Sequence, residues 1–413
     1  MKFSIQKKLE GTLARAGSIE TKNGIIETPA FVTVGTKATV KALTAEQIRS
    51  LGAQVVLANT YHLYLQPGED IVAHAGGFGP FMDWHGPTMT DSGGFQAFSL
   101  GAAFGTAVSK VTRNDEAVLN NVSPVAGQLA KVTDEGVEFK SHLDGSKHLF
   151  TPEKSMAIQW KLGADMIFAF DECTSPTADY DYQRKSLDRT YEWAKRSIAA
   201  HELLDTKKDQ ALFGVVQGGR HQDLREHAAR TIGELDGFDG FGIGGSFTKD
   251  DIGTAVGWVN ALLPENKPRH LLGIGEPSDL FGAVEAGCDL FDCIAPTRMG
   301  RHGTLHTSQG RINIRNAKFV NDFAPIETGC TCYTCMHHTR AYIAHLFRAE
   351  EMAAATLASI HNLHFILRLV ENMRKSILDG TFLEYKKAFL EKYYKKTSSK
   401  KKRLHSLNSL TGK

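Results

Sequence analysis

What the chain has little of narrows its class before any motif is read. It has almost no surplus of charge: 48 Lys and Arg stand against 46 Asp and Glu, so the sum selects neither a polyanionic nor a polycationic partner. It has no uninterrupted apolar run near the ~18 residues that a bilayer-spanning helix requires. The first apolar stretch after Met1 is broken by Lys7, Lys8 and Glu10, unlike a secretory leader. A cytoplasmic location, with no membrane partner, is the expectation. Cysteine is sparse, six in 413 residues. That excludes a disulfide-stapled scaffold and leaves thiols or metal ligands in a reducing compartment.

What is present is an ordinary globular composition on a chain long enough for one large core or two domains. Short apolar runs rich in β-branched or aromatic residues end in polar or glycine clusters: "VVLANTYH" (55–62), "MIFAFDECT" (166–174), "LFGVVQGG" (212–219), "FGIGG" (241–245), "HLLGIGE" (270–276) and "LFDCIAPT" (290–297). Helical spacing lies between them, over 182–204 and 221–235. Alternation of strand and helix predicts a parallel α/β sheet. Polar residues at the C-terminal end of so many strands favour a (β/α)8 TIM barrel over an open sheet. Residues 101–130 lack a clean period and read as an excursion. Residues 311–374 read as a zinc-binding subdomain attached to a barrel over 1–385. Residues 386–413 read as a basic, flexible tail, because "KKAFLEKYYKKTSSKKKR" carries nine Lys and Arg against one Glu, a charge run suited to a polyanion or to plain solvation.

Half of the cysteines fall in "CTCYTC". Cys330, Cys332 and Cys335 in this spacing bring three thiolates to one ion, and soft ligands with tetrahedral preference favour Zn2+ in a closed, structural site. A fourth ligand is required, and His337, His338, His345, His361 and His364 are all within reach of the pattern. Elsewhere, "TDSGGFQ" offers Asp91 and Ser92 before Gly93 and Gly94, where backbone can approach a flat ligand and Phe95 can cover it. "FDECT" adds Asp171 and Glu172, "VVQGG" adds Gln217, and "IGG" adds the amides of Gly244 and Gly245. Together these are the donors and acceptors that a purine base would need. "DLFDCIAPTRMGRHG" places Asp292 a few residues before Arg298 and Arg301, an acid followed by cations able to hold an anion.

The ordered set "TDSGGFQAFSL", "FKSHLDGSKH", "AFDECT", "GVVQGG", "GFDGFGIGG", "FDCIAPTRMGRHG", "INIRNAKF" and "CTCYTC…TRAYIAHLFRAEE…IHN" closely resembles the bacterial-type tRNA-guanine transglycosylases over roughly residues 1–375. The resemblance implies a (β/α)8 barrel with a zinc subdomain, usually a homodimer. Such enzymes exchange the wobble guanine in the tRNA anticodon loop for a 7-deazaguanine, in queuosine biosynthesis. On this resemblance Asp292 is the nucleophile and Asp91 the proton acceptor and donor. Ser92, Gly93, Gly94, Phe95, Asp171, Gln217, Gly245 and Leu272 line the base pocket. Gly273, Ile274, Gly275, Glu276, Pro277, Ser278 and Asp279, with Thr297, Arg298, Met299, Gly300 and Arg301, hold the RNA. Cys330, Cys332, Cys335 and His361 hold the zinc.

Two departures fall in the base pocket. The loop after Gly245 reads "SFTKDD", shorter than the Leu-Ala-Val-Gly-Glu-like loop usual in the family, and Leu272 stands where methionine is common. The expected incoming base is 7-aminomethyl-7-deazaguanine, with queuine as the alternative. A non-catalytic partner subunit is disfavoured because Asp91 and Asp292 are both retained. Base exchange on DNA is disfavoured by the match in the RNA-holding segment.

Overall fold

The computed structural model of the chain describes residues 1–97, 111–112, 130–175, 178–245, 247–248 and 252–395. Eight parallel strands close into a barrel: β1 (Ala30–Val34), β2 (Val56–Ala58), β3 (Thr88–Thr90), β4 (Met166–Phe168), β5 (Ala211–Val216), β6 (Gly240–Ile243), β7 (Arg269–Leu271) and β8 (Leu290–Asp292). Neighbours in space are neighbours in sequence, and β4 closes on β3 through Met166 and Met89. The predicted barrel is therefore present.

Alternation along each strand divides the apolar side chains between two layers. Ala30, Val32, Leu57, Met89, Met166, Phe168, Phe213, Val215 and Leu290 fill the interior, while Phe31, Val56, Ile167, Leu212, Phe241, Leu271 and Phe291 face the surrounding helices. An antiparallel sheet of Lys2–Lys8, Arg15–Thr21 and Gly24–Thr28 contributes Ile19 and Ile26 to the inner cluster. It thereby stoppers the end of the barrel from which the strands start.

Strand ends are set by local capping. The run 55–62 stops being extended at Ala58 because the Asn59 side chain accepts from the His62 amide and starts a helix, Thr60–Leu65. The expected helices appear as Tyr180–Leu204 and Gln222–Gly233. Most of the excursion lies outside the described residues. Its end forms the first strand of a small antiparallel sheet, Ala130–Val132, Val137–Lys140 and Lys147–Phe150, and Val111–Thr112 pairs with Phe247–Thr248.

Residues 311–374 hold the three clustered cysteines and His361 and supply most of a separate apolar cluster. Their long helix, Met352–Asp379, packs on β1 and on Arg15–Thr21. It is the one helix among the described residues long and apolar enough to cross a bilayer, but 67% of its most apolar window is buried inside the protein. One expectation is corrected at the C-terminus: a flexible tail does not begin at 386, because residues 382–395 are helical, and the rest of that segment, 396–413, lies outside the described residues. Phe382, Tyr385 and Phe389 ring Phe281 at 5.4–5.9 Å between centroids, and Tyr393 is 3% exposed. The aromatic residues interleaved with the lysines supply an apolar face that a count of charge overlooks.

Candidate active site and metal cluster

The barrel brings the strand-end acids to one rim. Asp91 follows β3, and its carboxylate accepts from the Thr60 amide at 2.9 Å and from the Asn59 side chain, while the Thr60 hydroxyl donates to its carbonyl. Asn59 thus caps a helix with its oxygen and holds Asp91 with its nitrogen. Ser92 and Gln217 converge on Asp171, donating to its two oxygens at 2.9 and 2.7 Å. Asp171 is 8% exposed. A buried carboxylate with two neutral donors keeps a definite orientation, and the amide of Gln217 is turned so that nitrogen meets the acid.

Close backbone approach at this rim needs glycine. A Cβ on Gly94 would lie 2.7 Å from the Asp171 carbonyl oxygen, and one on Gly245, at φ +105°, would lie 2.4 Å from an Arg225 nitrogen. Arg225 is completely buried, donates to the Gly219 and Gly244 carbonyls at 2.8 and 2.7 Å, and burial pulls its pKa down to about 9. One expectation is corrected here: the Gly244 amide donates to Val216 within the barrel, so of the two glycines only Gly245 stays in contention as an amide donor to a ligand. Phe95 lies half-buried on the helical turn that begins at 94.

Asp292 ends β8. Its Oδ1 accepts from His270 Nε2 at 2.9 Å and from the Gly273 amide at 3.0 Å. Glu172, adjacent to Asp171, belongs elsewhere: it points into the helical layer, where Tyr182 donates to it at 2.6 Å and Arg189 pairs with it. Of the two acids in "FDECT", the structure leaves only Asp171 at the rim.

The two segments that the resemblance gave to RNA are divided by burial. Arg298 is exposed and Arg301 half-buried, whereas Thr297 and Gly300 are buried. Burial and the nearby Arg298 hold Arg301 below its usual pKa. Two cations that repel each other form a place where an anion relieves the repulsion. In the other segment Ile274, Gly275, Pro277 and Asp279 are buried, and Glu276 is engaged by Arg311 at 2.9 Å and by the Tyr394 hydroxyl at 2.8 Å. Its side chains mainly shape the loop.

Cys330, Cys332, Cys335 and His361 place their four donor atoms within 4.8 Å of one another. A tetrahedral ion with bonds of about 2.0–2.3 Å sets its ligands about 3.5–3.8 Å apart, so the cluster fits a metal ion. Among the histidines left open by spacing, His361 completes it, its Nδ1 lying 3.3–3.9 Å from the three sulfurs. His361 Nε2 donates to the His306 carbonyl at 2.7 Å, which leaves Nδ1 as the lone-pair nitrogen. Asn362, next in the chain, donates to the Pro296 and Thr304 carbonyls at 3.0 and 2.9 Å. The metal helix is thereby tied to the segment bearing Arg298 and Arg301. Asn59, Arg225, His270 and Asn362 escape a reading of the sequence because each acts through partners distant in the chain.

Acids gathered at the C-terminal rim of a closed parallel barrel define an enzyme of the (β/α)8 class, in which chemistry sits on the loops that follow the strands. Beyond that class, the chain belongs to the queuine tRNA-ribosyltransferase family, whose model matches residues 10–395. A queuine tRNA-ribosyltransferase of Caldanaerobacter subterraneus subsp. tengcongensis is 46% identical over 397 residues, covering 95% of this chain and 98% of its own. Those of Thermoanaerobacter sp. and Staphylococcus aureus are each 47% identical, covering 95% and 92% of this chain and 98% and 93% of their own.

Proposed function

We propose that the chain is a tRNA-guanine transglycosylase that replaces the wobble guanine of tRNA with a 7-deazaguanine through a covalent intermediate on Asp292. The observation that carries this is the trio Asp91, Asp171 and Asp292, each held by hydrogen-bond donors at the rim where the barrel strands end, with Arg298 and Arg301 on the helix that follows β8. Chemistry on a base requires that the base leave its stack and enter a pocket. The two arginines hold the flanking phosphates, and Phe95 and Leu272 cover the faces of the base. Asp171 reads the N1–H and exocyclic amine edge, and Gln217 and Gly245 meet the carbonyl side.

In the first half-reaction an oxygen of Asp292 bonds to ribose C1′ as the bond from C1′ to the guanine nitrogen breaks. The electron pair leaves with the base, which takes a proton from Asp91. In the second, the nitrogen of the incoming base bonds to C1′, the ester bond to Asp292 breaks, and Asp91 takes the proton released. Two displacements preserve configuration at C1′. The incoming base is 7-aminomethyl-7-deazaguanine, and the product lies on the way to queuosine. The Cys3His cluster holds structural zinc, which ties the helix of His361 to the RNA-holding segment. The enzyme works in the cytoplasm as a homodimer.

Purified protein incubated with labelled guanine and an unmodified tRNA transcript should place label in the tRNA. The same protein should leave an RNA adduct that survives a denaturing gel. Absence of both exchange and adduct in zinc-replete protein would remove the reading.

A further inference from the structure

The side chain that holds Asp292 has no role in that reaction scheme. His270 lies on β7 opposite Leu290 of β8, so Asp292, two residues further on, projects from the same interior face as its diagonal neighbour. The imidazole is completely buried and edge-on to Phe168, with centroids 5.5 Å apart. An apolar barrel interior is an unfavourable place for a polar ring unless its nitrogens are paired. Nε2 is paired with Asp292 Oδ1 at 2.9 Å, and Nδ1 is buried with no hydrogen-bond partner among the described residues. As mere filler, the position would be served better by leucine. A buried polar group only half satisfied marks a place where packing yields to function.

Resting on the transglycosylase reading, we propose that His270 is a positioning residue for the nucleophile: with the Gly273 amide it pins Oδ1 of Asp292 and so fixes the plane in which the carboxylate meets C1′. The donor type suits the task. The guanidinium fork of Arg15 takes both oxygens of Asp289 on the same strand, at 3.0 and 2.6 Å. At Asp292 a single imidazole N–H and a backbone amide meet one oxygen instead. Attack geometry is sensitive to small misplacement, so loss of the pin should appear in the chemical step rather than in binding.

The test compares His270→Leu, which keeps volume and removes the donor, with His270→Gln, whose amide nitrogen is as many bonds from the backbone as Nε2. In the leucine variant kcat for guanine exchange should fall about 10- to 100-fold, the range for losing a hydrogen bond to a charged group. KM for tRNA should stay within about twofold, because the buried imidazole makes no contact with RNA, and the unfolding midpoint should be unchanged or raised, because leucine suits an apolar interior. His270→Gln should recover much of kcat. Wild-type kcat in His270→Leu, or equal impairment in the leucine and glutamine variants, overturns the proposal. Should His270→Leu not fold, His270→Asn takes its place, since its amide is one bond short of Asp292. Glutamine well above asparagine then supports the proposal, and equality overturns it. Wild-type protein that neither exchanges guanine nor forms the adduct would remove the transglycosylase reading itself, whereas active wild type with indifferent variants removes only the role of His270.

Discussion

Strands β4 and β8 each have an aspartate at or near both ends, Asp165 and Asp171 flanking one and Asp289 and Asp292 the other, and the two rims of the barrel treat them differently. At the rim where strands begin, Asp165 accepts from the Thr88 amide and hydroxyl at 2.8 and 2.7 Å and from the Asn23 side chain at 3.0 Å. Asp289 accepts from both arms of Arg15 and from the Arg269 amide at 2.8 Å, and both side chains of the Arg15–Asp289 pair are 2% exposed or less. At the rim where strands end, Asp171 is held by two neutral donors, and Asp292, whose side chain is 15% exposed, by an imidazole and an amide. At the first rim both acids are buried and tie elements together, Asp289 through a paired charge and Asp165 through neutral donors. The second orients a carboxylate at the rim that carries the C-terminal loops, where it can attack or exchange a proton.

Exchanging the fates of the two ends of β8 is the sharpest test of that difference. Asp292→Ala should lower exchange by roughly 10^4-fold or more, as removal of a nucleophile does, while tRNA binding and the unfolding midpoint stay near wild type. Asp289→Ala should do the reverse. It strands Arg15 in a site only 2% exposed, and breaking a buried pair by removing one partner costs about 3–5 kcal/mol. Protein that remains folded at low temperature should still exchange guanine at close to the wild-type kcat. Denaturant melts and single-turnover exchange on both variants decide the matter. A large loss of kcat in folded Asp289→Ala would erase the distinction between the rims.

Six of the eight strands were legible because each ended in a glycine or polar cluster, and the strand-end acids came with them. β1 and β3 were not, since "AFVTV" and "TMT" are too short or too mixed to stand out from the surrounding loops. The rim acids could be proposed from the sequence, but not separated from structural acids. Asp171 and Glu172 are adjacent and chemically alike, yet only tertiary partners send one to the rim and the other to Arg189. The same limit hid His270 and Asn59, whose significance lies in the residue they face. The basic C-terminal stretch misled for another reason. Its charge dominated its composition, while the fold uses Phe389 and Tyr393.

A more local effect is expected at the metal cluster. Elemental analysis should find about one zinc per chain, lowered in Cys332→Ser. Chelation should strip hydrogen-exchange protection from residues near 330–361 before the barrel strands open, because the ion organises that layer and the strands have their own core. Simultaneous loss of protection throughout the barrel, or full protection and activity without metal, would contradict this.

The smallest effect concerns the incoming base, and it belongs wholly to the rim where strands end. Leu272 follows β7, half-buried, and a Cβ on Gly242 would come within 3.5 Å of its Cδ1, so it sits at the top of the interior where a base would enter. Leucine has less reach than methionine, and the loop after Gly245 carries Lys249, Asp250 and Asp251 in its sequence. Both bases carry a basic aminomethyl nitrogen, so it is the bulk that queuine bears on that nitrogen, and not its charge, that separates them. Discrimination by a few apolar contacts is about 1–3 kcal/mol, or roughly 10- to 100-fold. Competition between 7-aminomethyl-7-deazaguanine and queuine, each displacing labelled guanine from tRNA, should therefore favour the aminomethyl base within that range. Leu272→Met should move the ratio, whereas Asp289→Ala, tested where it is folded, should leave it unchanged. A clear preference for queuine would assign the enzyme to salvage of the finished base, and a ratio that followed Asp289 instead of Leu272 would mean that the two rims are not independent.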